Sequence, residues 1–80
     1  MKFNQLIAKR TKRLMKERNW TQYQLAQQSG VPRSTISYTL NSKGETLKTD
    51  TILNICRGFG ISLMEFFNDP SFLPENIADD

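Results

Sequence analysis

Between Thr21 and Leu40 the chain reads as two short helices whose ends are marked residue by residue and whose connection is only a few residues long. Thr21, followed three positions later by Gln24, has the form of a capping box, in which each side chain satisfies a backbone donor that a helix start leaves free; a helix is therefore expected to begin at Thr21. Leu25 and Ala26 are its inward positions. Gly30 supplies the left-handed backbone that ends a helix without steric penalty, which puts the stop at Ser29. Val31 and Pro32 lead into RSTISYTL. Proline is well tolerated in a first turn, where its missing N–H had no intrahelical partner, so a further helix starts at once. Its inward residues are Ile36 and Leu40, with Val31 packing in from the turn, while Arg33, Ser34, Ser37 and Tyr38 point elsewhere.

The flanking segments are helical as well. Phe3, Leu6, Ile7, Arg10 and Leu14 recur at steps of one, three and four, the pattern of an amphipathic helix from near Asn4 to Arg18 or Asn19. Lys9, Lys12, Arg13 and Lys16 fall on its other faces, where a solvated face with about one phosphate contact is expected and the long stems also cover apolar surface. Trp20 is placed between the first two helices. The polar stretch NSKGETLKT is a loop, and DTILNICRGFG a fourth helix with Ile52, Ile55, Cys56 and Phe59 inward, Thr49 or Asp50 as its cap and Gly60 as its stop. Ser62 and Glu65 repeat the capping-box pattern before Leu63, Phe66 and Phe67, giving a short fifth helix that Asp69 and Pro70 end. The class is all-α, with a domain over residues 1–68 and a C-terminal tail over 69–80 that is either frayed or docked.

Composition narrows the functions. Eighty residues make one domain, and 38% hydrophobic with 24% charged residues is the balance of an ordinary soluble protein. No apolar run approaches the roughly 20 residues that span a bilayer, and MKFNQLIAKRTKR lacks the apolar stretch of a secretory signal, so a cytoplasmic protein without a membrane partner is expected. Cys56, the single cysteine, makes no internal disulfide and sits at core spacing, as a structural rather than a redox residue. There is no histidine, no second cysteine for a metal cluster, no glycine-rich phosphate loop and no nucleophile-elbow pattern. No enzyme activity, cofactor or small-molecule ligand is expected.

The net charge of +3 is unevenly spread. Residues 1–20 carry Lys2, Lys9, Arg10, Lys12, Arg13, Lys16 and Arg18 against Glu17 alone, and the last twenty carry Glu65, Asp69, Glu75, Asp79 and Asp80 with no basic residue. A fold that keeps these ends apart has a positive side that attracts a polyanion, of which nucleic acid is the commonest; a merely solvated basic face has the same composition. The segment from Thr21 to Leu40 discriminates further. A capped helix, a glycine turn and a second helix with a polar, exposed start form a helix-turn-helix, whose first helix crosses the phosphate backbone and whose second sets its N-terminal side chains against base edges in the major groove. The free N–H groups at Thr21 and Gln22 favour a phosphate, and the planar fork of Arg33 matches a guanine edge.

The runs RTKRLMKERNWTQYQLAQQSGV, STIS and DTILNICRGFGISLMEFF resemble the Cro and phage-repressor type helix-turn-helix proteins, the xenobiotic-response-element family, over about Leu6 to Phe67. They look like members from low-GC Gram-positive bacteria and their mobile elements. The resemblance implies a compact five-helix, lambda-repressor-like DNA-binding domain: a transcriptional regulator, in the first place a repressor, that binds a double-stranded operator as a homodimer. It implies base reading by Arg33 and Ser34, with Ser37 and Tyr38 one turn further on the same face. Gln22 matches a glutamine that bonds a phosphate and braces the recognition helix, and Asn41 a position that contacts the backbone; Thr21, Thr35 and Lys43 are grouped with these phosphate contacts. Candidate dimer residues are Phe59, Phe66, Phe67, Phe72 and Leu73, most of which suit a core equally well.

Two departures from the family matter. Pro32 stands where a serine usually caps the recognition helix, so either Val31 is the cap or the start shifts by one residue. Arg10 matches an arginine that pairs with a glutamate at the end of the recognition helix in some members, yet that position here is Leu40. Since a buried unpaired guanidinium is costly, Arg10 must find another partner or reach solvent or a phosphate. The rival reading is a protein-interaction module, such as an antitoxin or antirepressor that keeps the helix-turn-helix fold.

Overall fold

The computed structural model describes residues 1–41 and 47–78. Five α-helices follow one another: α1 (Phe3–Arg18), α2 (Gln22–Ser29), α3 (Arg33–Leu40), α4 (Thr49–Phe59) and α5 (Leu63–Phe67). Two 3-10 turns, Pro70–Phe72 and Pro74–Asn76, come after them. The described residues form no strand beyond an isolated parallel bridge between Lys2 and Ala78, and the fold is all-α. None of their helices is long and apolar enough to cross a membrane.

Local chemistry sets the helix ends. The Thr21–Gln24 capping box is reciprocal: the Gln24 amide donates to Thr21 Oγ1 at 3.2 Å and the Thr21 amide to Gln24 Oε1 at 2.8 Å. Gly30 ends α2 at φ 72°, a backbone conformation that a β-carbon would strain. The Val31 amide donates to Ser29 Oγ at 3.2 Å, so the turn is held by the last residue of the helix before it. One open alternative is decided here, in favour of a shifted start for α3, and one expectation, the cap of α4, is corrected. Pro32 is the cap residue of α3 and lies outside the first turn, so the helix start shifts to Arg33 and no side chain caps it. In α4 the cap position falls to Lys48, because Thr49 and Asp50 already have helical backbone; Asp50 instead puts its charge in the first turn, where it complements the helix dipole.

The core gathers Ile7, Leu14 and Met15 from α1, Leu25 from α2, Val31 from the turn, and Ile36 and Leu40 from α3. From the second half it takes Ile52, Ile55, Cys56 and Phe59 of α4 and Phe66 of α5. α2 packs chiefly on α4 and α1 on α3, so both helices of the helix-turn-helix are backed by a longer one. Ala26 is only partly buried, and Phe3, expected to face inward, is 41% exposed. The Phe3 ring instead lies flat against Phe67 at 6.2 Å and edge-on to Phe72 at 6.1 Å, at the margin of the core. Thr11 and Thr39 are fully buried, each donating its hydroxyl to the carbonyl four residues back at 2.8 Å, which meets the demand of a buried polar group. Cys56 is buried in the core, and burial pushes its thiol pKa up, against a smaller opposing pull from the Arg10 charge.

The arginines of α1 are structural ties. Arg10 donates through Nε to the Phe66 carbonyl at 2.8 Å and through Nη2 to the Glu65 carbonyl at 3.0 Å. Its partner is therefore the C-terminal end of α5, whose exposed carbonyls and negative dipole end suit a cation. Arg13 pairs with Asp69. Asp69 also accepts from the Ser71 amide at 3.0 Å and the Ser71 hydroxyl at 2.7 Å, and these bonds, the Arg13 one foremost, hold its carboxyl well below the usual carboxylate range. The tail is docked: Phe72 packs against the core, and the Ala78 amide donates to the Met1 carbonyl at 2.9 Å.

Candidate nucleic-acid interface

The exposed surface of the helix-turn-helix is built from the starts of two helices. At the start of α2 the amides of Gln22 and Tyr23 precede the first intrahelical bond and have no acceptor within the helix. Thr21 Oγ1 accepts the capping bond, and its hydroxyl hydrogen is still there to donate. Gln22 is half-buried beside it. On α3, the positions Arg33, Ser34, Ser37, Tyr38 and Asn41 recur at steps of one, three and four and share one face, while Ile36, Thr39 and Leu40 are buried on the other. Arg33 and Ser34 are exposed, Tyr38 is 48% exposed, and Ser37 is half-buried.

Asn41 closes the helix and fixes its own orientation. Its Nδ2 donates to the Ser37 carbonyl at 2.9 Å and, more weakly, to Ser37 Oγ at 3.4 Å. Thr35 is half-buried and faces a cleft of about 340 Å³ between α3 and the start of α4, walled by Val31, Tyr38, Leu47 and Asn54. The structure thus brings Thr21, Gln22, Arg33, Ser34, Ser37, Tyr38 and Asn41 together around the helix-turn-helix and turns Thr35 toward α4. Lys43 lies outside the described residues.

Electrostatics on this surface favour an anion. The sequence between Glu17 and Glu45 contains no acidic residue, so α2, the turn and α3 carry only the positive charge of Arg33 and oriented helix-start dipoles. Arg33 holds its guanidinium carbon 5.6 Å from the ring centroid of Tyr23, across the turn on α2. Tyr23 was not among the residues expected at the site. Its signal was a tyrosine at the second position of a helix that the turn folds back toward Arg33, legible only once both helices are set in place.

The candidate dimer residues separate by burial. Phe59 and Phe66 are 6% and 0% exposed and fill the chain's own core, so they offer a second copy no surface. Phe67 and Phe72 are partly buried against that core, and Leu73 is 48% exposed.

No curated protein and no solved structure matches the chain significantly. The family model of the Cro/C1-type HTH DNA-binding domain matches residues 10–70, a span that runs from α1 through α5. That span covers most of the chain and contains the helix-turn-helix with its supporting helices, and the family is a DNA-binding regulatory one rather than an enzyme family. The protein belongs to the Cro/C1-type HTH DNA-binding domain family and is a double-stranded-DNA-binding transcription regulator.

Proposed function

We propose that the protein is a sequence-specific repressor that binds operator DNA as a homodimer, with Arg33 reading a guanine edge in the major groove. The observation that carries this reading is the single exposed face of α3, which begins with Arg33, continues through Ser34, Ser37 and Tyr38, and lies beside the free amides of α2. Arg33 and Ser34, nearest the helix start, read bases, and Ser37 and Tyr38 extend the contact along the groove. Thr21, Gln22 and Asn41 hold phosphates, fixing register without reading sequence. Lys43 is counted with the same backbone contacts, whereas Thr35, half-buried and turned toward α4, is left out of them. Repression follows where the operator overlaps a promoter, because occupancy alone excludes the polymerase.

One recognition helix reads only a few base pairs, so two copies on half-sites about 34 Å apart supply the missing specificity. Leu73, with Leu63 at 43% and Met64 at 82% exposed, provides apolar surface for the pairing. The test is binding to the DNA upstream of the protein's own gene against a scrambled duplex, at two salt concentrations, with Arg33→Ala alongside. A specific complex that weakens steeply with salt and loses selectivity in the variant is the expected result. Equal binding to both duplexes by folded protein would end the reading and turn attention to a protein partner.

A further inference from the structure

We infer that Tyr23 is a positioning residue for base recognition: its ring holds the Arg33 guanidinium in place at the protein surface before DNA arrives. The inference rests on the assignment of Arg33 as a base reader and specifies what makes that reading selective.

Three observations meet at this point. Arg33 Cζ lies 5.6 Å from the centroid of the Tyr23 ring, within the range of an attractive cation–ring contact. The ring is itself secured, because Gln27, one turn further along α2, donates from Nε2 to the Tyr23 hydroxyl at 3.0 Å. The carboxylate of Asp50 stands across the cleft from Pro32 and Thr35, yet among the described residues Arg33 makes no ion pair and donates no hydrogen bond to protein.

The type of partner matters. A carboxylate would occupy the N–H donors of the guanidinium, and that pair would have to be broken before the same donors reached guanine O6 and N7. An aromatic ring attracts the cation through its π face and consumes no N–H donor. Arg33 therefore gives up rotational freedom in the free protein while keeping its full hydrogen-bonding edge, which is the condition for preorganised recognition. Since Tyr23 and Gln27 belong to α2 and Arg33 to α3, the contact also spans the turn, so a side chain of the backbone-crossing helix sets the aim of the reading helix.

The experiment starts by selecting the preferred duplex of the wild-type protein from a random double-stranded library. Dissociation constants are then measured by fluorescence anisotropy for that duplex and for its single-base-pair variants. The proteins are wild type, Tyr23→Ala, Tyr23→Phe, Arg33→Ala and the Tyr23→Ala/Arg33→Ala double variant, each checked for native helicity by circular dichroism. The base pair whose preference vanishes in Arg33→Ala is the one Arg33 reads. Tyr23→Ala is expected to lose about two- to five-fold of the discrimination at that base pair and none at the others. Tyr23→Phe, which keeps the ring but loses the bond from Gln27, should restore most of it, and the double variant should match Arg33→Ala. If Tyr23→Ala weakens all duplexes alike, and does so equally in the Arg33→Ala background, Tyr23 is a phosphate contact in its own right and the inference is overturned. Unchanged discrimination overturns it as well. Failure of the wild type to enrich any motif overturns sequence-specific reading itself, and this inference with it.

Discussion

Arg18, the last residue of α1, lays its guanidinium carbon 4.9 Å from the ring centroid of Phe59 and donates through Nη2 to the Phe59 carbonyl at 3.3 Å. Trp20 stacks on the other partner of this contact, its ring centroid 5.3 Å from that of Phe59. A cation thus sits at the C-terminal end of α4, where the helix dipole favours it, and on an aromatic pair that joins α4 to the chain between α1 and α2. The ring contact contributes about 0.5–1 kcal/mol and the dipole about 0.3–1 kcal/mol. Arg18→Ala should therefore lower stability by about 1–2 kcal/mol, a Tm drop of several degrees for a domain of this size. Arg18→Lys keeps the charge but not the planar ion and should fall between. A thermal melt in which Arg18→Ala equals wild type would show the cluster to be decoration.

Gly58 of α4 lies directly against Ser29, the last residue of α2. A β-carbon there would stand 2.8 Å from Ser29 Cα and Cβ and 2.9 Å from Ser29 N, so backbone, not a flexible side-chain end, is in the way. Alanine improves helix propensity by about 1 kcal/mol, while overpacking costs about 1–3 kcal/mol. The second effect should win. Gly58→Ala is expected to lower the urea midpoint with little change in slope, and to weaken DNA binding because α2 is pushed from its place. A raised midpoint would mean that the two helices separate without cost.

These two residues show what a sequence can and cannot disclose. Both ends of α2 and the C-terminal end of α4 were legible because capping and the left-handed turn depend on neighbours: Thr21 with Gln24, Gly30 and Gly60 each act within a few positions. The shared face of α3 followed from spacing alone. Pro32 and Lys48 took the cap positions by backbone geometry without a side-chain bond, so no residue type announced them. The partners of Arg10 and Arg13 lie more than fifty residues away, and a sequence names the donor without naming the carbonyl or carboxylate it will meet. Gly58 carried no signal, because its role is to be small beside Ser29, a residue 29 positions earlier. Tyr23 is the same problem at the candidate site.

The pairing of Arg13 with Asp69 makes the docked tail pH-dependent. The Asp69 carboxyl is held below its ordinary value of 3.8, first by the bond from Arg13 and then by those from Ser71. A depressed folded-state pKa means that the contribution is fully present above about pH 4 and is lost as pH falls through the folded value. The Arg13 side chain is half exposed, so solvent and salt screen the pair and the effect is small. Asp69→Asn retains an acceptor for Ser71 while removing the charge. The Tm difference between wild type and Asp69→Asn should be largest near neutral pH, narrow below about pH 4, and shrink in high salt. A difference that is flat with pH would show that the charge does not hold the tail.

Lys9, Lys12 and Lys16 separate the two kinds of DNA contact. They are exposed, share one face of α1, and make no side-chain hydrogen bond or ion pair among the described residues, whereas Arg10 and Arg18 on the same helix donate to backbone carbonyls and Arg13 pairs with Asp69. Lys9 and Lys12 line a depression with Leu40, the last residue of α3, so a strand of DNA leaving the recognition helix at that end would pass beside them. Lysine at such a position is a point charge for phosphate and carries no information about the base. Replacing all three with glutamine should reduce the dependence of log K on log salt by about 0.9 for each phosphate that is no longer neutralised, and by at least that much in all. Discrimination among base pairs should be unchanged. Arg33→Ala should do the reverse, costing about 1–3 kcal/mol at one base pair and altering the salt slope little. A triple variant with the wild-type slope would make the lysines a solvated face, and one that altered base preference would place α1 closer to the groove than the helix-turn-helix geometry allows.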